Sequence, residues 1–240
     1  MGVAEVWNSR TLTLLGEEAV GRLARARVLV AGVGGVGGYA AEMLARSGVG
    51  HLTLVDADNV AVSNINRQII ATSDAVGESK VWLFADRFRA INPEIDVRPI
   101  QEYLDADNIP ALLDREFDYV IDAIDTVAPK MTLILECLRR GIPIISSMGA
   151  GGRLDPSKVG YFDISETRDD GLARVVRQRL RKAGIRRGLT VVASTERPER
   201  HSVIPLDERN KRSSFGTIAT IPALFGIFLS SKVIDEICWK

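Results

Sequence analysis

Short apolar runs alternate along the chain with stretches whose apolar positions recur at helical spacing. The runs at 27–31, 51–55, 95–100, 119–123 and 142–146 are rich in Val, Ile and Leu and carry no polar face, which predicts strands buried on both sides. Helices are predicted between them at 39–47, 80–91, 106–115 and 130–140, with a short amphipathic helix at 17–26 leading into the first strand. This alternation predicts an α/β fold: a mostly parallel sheet covered by helices, with right-handed crossovers.

The pattern changes after residue 148, where Gly149-Ala-Gly-Gly152 and Asp155-Pro156 interrupt it. A strand at 159–164 and a basic helix from about Asp170 follow. The division expected is therefore 1–148 for the sheet-forming domain and 149–240 for a smaller substrate-facing segment, whose last helix docks back on the first part. Residues 215–231 are uncharged, but the stretch is short for a bilayer, holds Pro222 and Gly226, and runs on into Lys232, Asp235 and Glu236. It predicts a packing or interface helix and no membrane association.

Composition narrows the setting. With 31 basic and 31 acidic residues, bulk charge does not point to nucleic acid, so a basic footprint must be a local patch. The two cysteines, Cys137 and Cys238, form no C-x-x-C, which argues against a disulfide framework, a zinc ribbon and a dithiol centre. No secretory pattern opens the sequence, and a reducing cytoplasm is the expected location. His51 and His201 lack a partner constellation and read as structural or surface residues.

The first strand breaks into Ala31-Gly-Val-Gly-Gly-Val-Gly-Gly38, in which Gly32, Gly34 and Gly37 form G-x-G-x-x-G and Gly35 lies in the same turn. Such a turn lets backbone amides and a helix N-terminus approach phosphate, and makes the sheet Rossmann-like. Alone it cannot choose between a dinucleotide and ATP. Asp56 ends the second strand, 24 residues after Gly32, where an acid bonds ribose hydroxyls. Asp58, Asn64, Arg67 and Lys80 follow, then Asp125 beyond the fourth strand, so cations and carboxylates gather at the sheet edge where such folds bind ligands.

In order and spacing, Gly32-x-Gly34-x-x-Gly37, Asp56-x-Asp58, Ser63-Asn64-x-x-Arg67-Gln68, Gly77-x-x-Lys80 and Asp125 resemble the ATP-binding adenylation domain of the ubiquitin-activating-enzyme-like (ThiF/MoeB/HesA) superfamily. The resemblance implies ATP-dependent adenylation of a carboxylate, with Arg67 and Lys80 on the polyphosphate, Asn64 assisting, Asp56 on the ribose and Asp125 positioning Mg²⁺. Asp58 is expected either to orient its loop or to act directly. Asn8-Ser-Arg10-Thr11 and Leu14-Leu-Gly16 match a segment that supplies an arginine to the neighbouring subunit, which implies a homodimer with Arg10 acting in trans. The absence of cysteine between Cys137 and Cys238 disfavours a thioester relay.

Beyond the ATP elements, Ile91-Asn-Pro-Glu94, Gly149-Ala-Gly-Gly152, Leu154-Asp-Pro156, Asp163-Ile164, Gly171-Leu-Ala-Arg-Val-Val-Arg177 and Ser194-Thr-Glu-Arg-Pro198 resemble the tRNA threonylcarbamoyladenosine dehydratase branch. That branch implies adenylation of the tRNA nucleoside's carboxylate, then cyclisation to cyclic t6A. Gly171 stands where a proline is expected in the branch motif, and 210–216 lacks a cysteine found in some relatives. From Gly171 to Thr190 there are seven basic residues and no acidic one, and Arg174, Arg177 and Arg181 share a helix face with Gln178, while Leu172, Val176, Leu180 and Ala183 line another. These arginines are the expected tRNA contacts. The resemblance admits a sulfur-relay protein as a further partner. The alternatives are adenylation of the C-terminal glycine of a ubiquitin-like or sulfur-carrier protein, and, in another class, a non-catalytic nucleotide-binding scaffold.

Overall fold

A computed structural model describes residues 6–199, 203–208 and 211–239, the backbone alone at 203–208 and 211–214. Seven strands form one sheet in the order β3-β2-β1-β4-β5-β7-β6. They are β1 (Arg27–Ala31), β2 (His51–Val55), β3 (Asp96–Ile100), β4 (Tyr119–Asp122), β5 (Ile144–Ser147), β6 (Val159–Asp163) and β7 (Thr190–Ser194). All pairings are parallel except β6 with β7. A separate hairpin joins β8 (Val203–Glu208) to β9 (Lys211–Phe215). His201 lies outside the described residues.

Alternate residues of one strand feed two cores. Val28 and Val30 pack with α1 (Ser9–Arg25), α2 (Gly37–Ser47), α3 (Lys80–Ile91) and α7 (Thr220–Trp239). Leu29 and Ala31 pack on the opposite face with α4 (Ile109–Leu112), α5 (Val127–Arg140) and α6 (Gly171–Lys182). Both faces are thus dry, which is why these strands show no polar alternation.

The α/β prediction is correct, with local departures. The first helix begins at Ser9 and is broken at Gly16 (φ 80°, ψ 164°), so 17–26 was only its second half. The helix predicted at 106–115 shrinks to the four residues of α4, preceded by a turn in which Asp105 Oδ1 accepts from the amides of Asp107 and Asn108. Strand β7 was missed. It pairs with β5 through Ser146–Val191 and Ser147–Val192, so the sheet runs across the boundary expected at 148 and segment 149–240 completes it. The apolar stretch at 215–231 contributes α7, which packs on α2 so closely that a Cβ on Gly226 would lie 2.4 Å from the Val36 carbonyl oxygen. Among the described residues, no helix is long and apolar enough to cross a membrane.

Candidate ATP site at the sheet edge

The glycine turn joins β1 to α2 at the point where strand order reverses, with β2 on one side and β4 on the other. Gly32 has φ +85°, and a Cβ there would meet the Ala123 carbonyl oxygen at 2.9 Å. At Gly37 a Cβ would lie 1.8 Å from the Gly32 oxygen. The turn therefore admits no side chain at 32 or 37, and α2 starts directly from it at Gly37.

Asp56 leaves the end of β2 and accepts from the Val33 amide at 2.8 Å and the Asp58 amide at 2.9 Å. It thereby holds the glycine turn while keeping acceptor capacity for hydroxyl groups. Burial pushes its carboxyl above the ordinary value, opposed by the nearby Lys80 charge and the two amide bonds.

Lys80 opens α3 and is only 3% exposed, with Nζ 2.8 Å from Asp58 Oδ2. Asp58 is 70% exposed, so its observed contact is to orient Lys80. The Lys80 amide also donates to the Asp58 carbonyl at 3.3 Å, while Val60 and Gly77 pair around it. Asn64 takes a local role: its Oδ1 accepts from the Ala61 amide at 3.1 Å and closes the 3-10 turn Val62–Asn64.

Arg67 lies across the glycines, its Cγ 3.5 Å from where a Gly35 Cβ would stand. Its Nη1 donates to the Ser63 carbonyl and the Asn66 side chain. Asp125 is exposed on the loop after β4 and accepts from the Thr126 hydroxyl at 3.3 Å. The structure thus brings Gly32, Gly34, Gly35, Gly37, Asp56, Lys80 and Arg67 to one edge, with Asp125 on the adjoining loop.

Two observations test whether a nucleotide fits. The tight turn that a phosphate cradle needs can form only with glycine at 32 and 37, where a Cβ would collide with backbone. Beside it, Gln68 is 7% exposed with Oε1 unpaired among the described residues, and its Nε2 lies 3.7 Å from the Gly34 Cβ position. A buried acceptor left unpaired is costly unless a ligand donor completes it. Gln68 closes the Ser63-Asn64-x-x-Arg67-Gln68 motif, and its burial is what marks it as a site residue beyond those the sequence assigns. Asp125 fits Mg²⁺, which binds through one or two carboxylates together with phosphate oxygens and water. Among the described residues no cluster of three or more His, Cys, Asp or Glu could hold a resident metal.

Arg10 is exposed near the start of α1 and does not join this edge. The neighbouring Asn8 amide lies 4.0 Å from the Gly48 Cβ position, at the end of α2 remote from the glycine turn. Eleven residues of helix separate those ends by about 16 Å.

On α6, Arg174 and Arg181 are exposed as expected. Arg177 departs from that pattern: its Nη1 donates to the Ile164 and Thr167 carbonyls and the Thr167 hydroxyl, so much of its hydrogen bonding goes to the fold. The buried face is Ala173, Val176 and Leu180, and Ala183 is exposed at the helix end. Arg181 and Arg186 line an open hollow of about 350 Å³. Asp170 caps α6 and also accepts from the Gly149 amide, linking the basic helix to the loop after β5. Cys137 is buried, its thiol pushed up to about 12 mainly by desolvation, and His51 pairs with Asp96 at 3.2 Å.

The ThiF family profile matches residues 8–238. A Bacillus subtilis protein named tRNA threonylcarbamoyladenosine dehydratase is 40% identical over 237 residues, covering 95% of this chain and 93% of the relative. The crystal structure of E. coli tRNA N6-threonylcarbamoyladenosine dehydratase in complex with ATP superposes with a TM-score of 0.87 at 37% identity, covering 99% of this chain and 97% of that one. The same E. coli protein is also known in complex with AMP. The Escherichia coli molybdopterin-synthase adenylyltransferase is 39% identical, but over only 58% of this chain and 54% of its own.

Proposed function

The chain belongs to the ThiF family, and from that premise we propose that it is an ATP-dependent dehydratase of N6-threonylcarbamoyladenosine in tRNA. The observation that carries the reading is the tight glycine turn accompanied by Asp56, Arg67 and Lys80, in a chain matched over nearly its whole length by dehydratases. The carboxylate of the modified nucleoside attacks the α-phosphorus of ATP and pyrophosphate leaves. The nucleoside's carbamoyl group then attacks the activated carbonyl, the ring closes, and AMP departs with the carboxylate oxygen.

Each step makes a demand that these residues meet. Negative charge builds on the leaving pyrophosphate, and Arg67 and Lys80 supply preorganised cations for it. The glycine amides and the α2 N-terminus receive phosphate oxygens. Asp56 receives the ribose hydroxyls, and the unpaired Gln68 Oε1 offers an acceptor for a donor group of the nucleotide. Asp125 would hold Mg²⁺, which when bound neutralises phosphate charge. Cyclisation needs no protein nucleophile, consistent with Cys137, whose thiol is buried and hard to ionise.

Arg10 stands at the end of α2 remote from its own cradle, and we assign it to the site of a second copy in a homodimer. The exposed Arg174 and Arg181 are assigned to tRNA phosphates. Incubating the protein with Mg-ATP and modified tRNA tests the reading: AMP should be released and the nucleoside should lose the mass of one water. AMP release that requires a small carrier protein, with tRNA inert, would move the assignment to carrier activation. No AMP with either would leave a nucleotide-binding scaffold. Adding a sulfur-relay protein to the tRNA assay checks whether that partner raises the rate.

A further inference from the structure

Asp122 ends β4 and Lys130 lies in α5, both side chains are fully buried, and Nζ stands 2.6 Å from Oδ2. The same Oδ2 accepts from the Ser146 hydroxyl of β5 at 2.5 Å, and Oδ1 accepts from the Ile124 amide at 3.1 Å. One carboxylate therefore ties together two neighbouring strands, a helix and the loop that leaves the sheet. A buried ion pair is weak as a stabilising device, because the cost of removing both charges from water offsets their attraction. Its position gives it a more specific consequence.

Between Asp122 and α5 runs the loop 123–126, which carries Asp125. Ala123 is pressed into the glycine turn: its oxygen lies 2.9 Å from the Gly32 Cβ position, and its own Cβ lies 3.0 Å from that of Gly37. A displacement of this loop would therefore move Asp125 and reshape the cradle together. We infer that Asp122, Lys130 and Ser146 form a buried clamp that fixes loop 123–126 in the geometry the ATP reaction requires. They are positioning residues, since none faces the crevice. The catalytic consequence rests on the proposed adenylation, whereas the clamp itself is a property of the ligand-free protein.

The double variant Asp122→Asn/Lys130→Met separates positioning from stability. It removes both buried charges, retains an acceptor for the Ile124 amide, and keeps most of the lysine stem. The clamp predicts near-native melting, hydrogen exchange of loop 123–126 faster by about tenfold or more, and kcat for AMP release lower by about ten- to a hundredfold, with KM for tRNA unchanged. Native exchange in the loop would overturn the inference, and so would native kcat alongside fast exchange. Should the double variant fail to fold, Ser146→Ala carries the same two measurements with a smaller effect, about three- to tenfold. If the wild-type protein releases no AMP with tRNA, the proposed function fails while loop exchange still decides the clamp.

Discussion

Two lysines at this sheet edge should respond oppositely to the same substitution. Lys80→Met removes an ammonium whose partner, Asp58, is 70% exposed and stays hydrated without it. Such a half-solvated pair contributes about 0–1 kcal/mol, and methionine retains most of the buried stem, so the melting temperature should fall by at most about 4 °C. Activity should fall much further. Loss of one preorganised charge at the leaving group costs about 2.7–4 kcal/mol, or about 10²–10³ in kcat. Lys130→Met instead strands the fully buried Asp122 carboxylate without its cation. That costs about 3–5 kcal/mol, equivalent to roughly 6–20 °C for a chain of this size. Urea and thermal unfolding, run beside single-turnover AMP release, measure both quantities. The reasoning is refuted if Lys80→Met loses as much stability as Lys130→Met, or if it keeps kcat within about threefold of wild type.

Because burial raises the Asp56 pKa, lowering pH from neutrality should protonate it before an ordinary aspartate and weaken ATP binding. The same shift has a stability sign: the ionised group costs stability above its folded pKa, and the cost vanishes below the unfolded value. ATP titrations across that window should show the loss in wild type and a flat profile in Asp56→Asn. Cys137→Ala should leave AMP release intact while costing about 1–2 kcal/mol from the small cavity, and mass spectrometry should find native Cys137 unlabelled by thiol reagents. Arg174→Ser/Arg181→Ser should weaken tRNA binding and flatten its logarithmic salt dependence by about 1–2, leaving ATP affinity unchanged; an unaltered slope would remove α6 from the RNA interface. Mixing inactive Arg10→Ala and Lys80→Met proteins should restore roughly a quarter of wild-type activity, because random pairing makes half the dimers mixed and each has one complete site. No recovery would place Arg10 outside the partner's site.

The legible features share one physical property: their constraint lies in local chain geometry. Gly32 and Gly37 announce the cradle because a turn that excludes Cβ atoms leaves a spacing of glycines, and Asp56 follows from the length of one β-α-β crossover. Buried strands announce themselves by apolar runs with no polar face, as residues 28–31 of β1 and 119–121 of β4 do. Thr190–Ser194 carries the same short apolar signal as those strands but follows a basic helix and turn outside the β-α alternation, and its place beside β5 is fixed only by the sheet already built. Arg177 shows the same limit from the other direction. Helical spacing placed it with Arg174 and Arg181, and α6 does form, but the carbonyls that take its guanidinium belong to residues 164–167 outside the helix.

Asp122 and Lys130 mark where local reasoning stops. Either residue alone reads as a solvated charge at the margin of an element, and their spacing across a strand end, a loop and a helix start matches no helical or strand period. They become a pair only when α5 packs back on the sheet and removes water from both, with Ser146 closing the site from β5. Lys80 differs for a related reason: its charge has an exposed partner and a crevice to face, so its spacing to the glycine turn carries a functional signal. Two lysines of nearly equal burial are thus distinguished by the exposure of the carboxylate each one meets, a property of the assembled sheet that governs which loss costs stability and which costs chemistry.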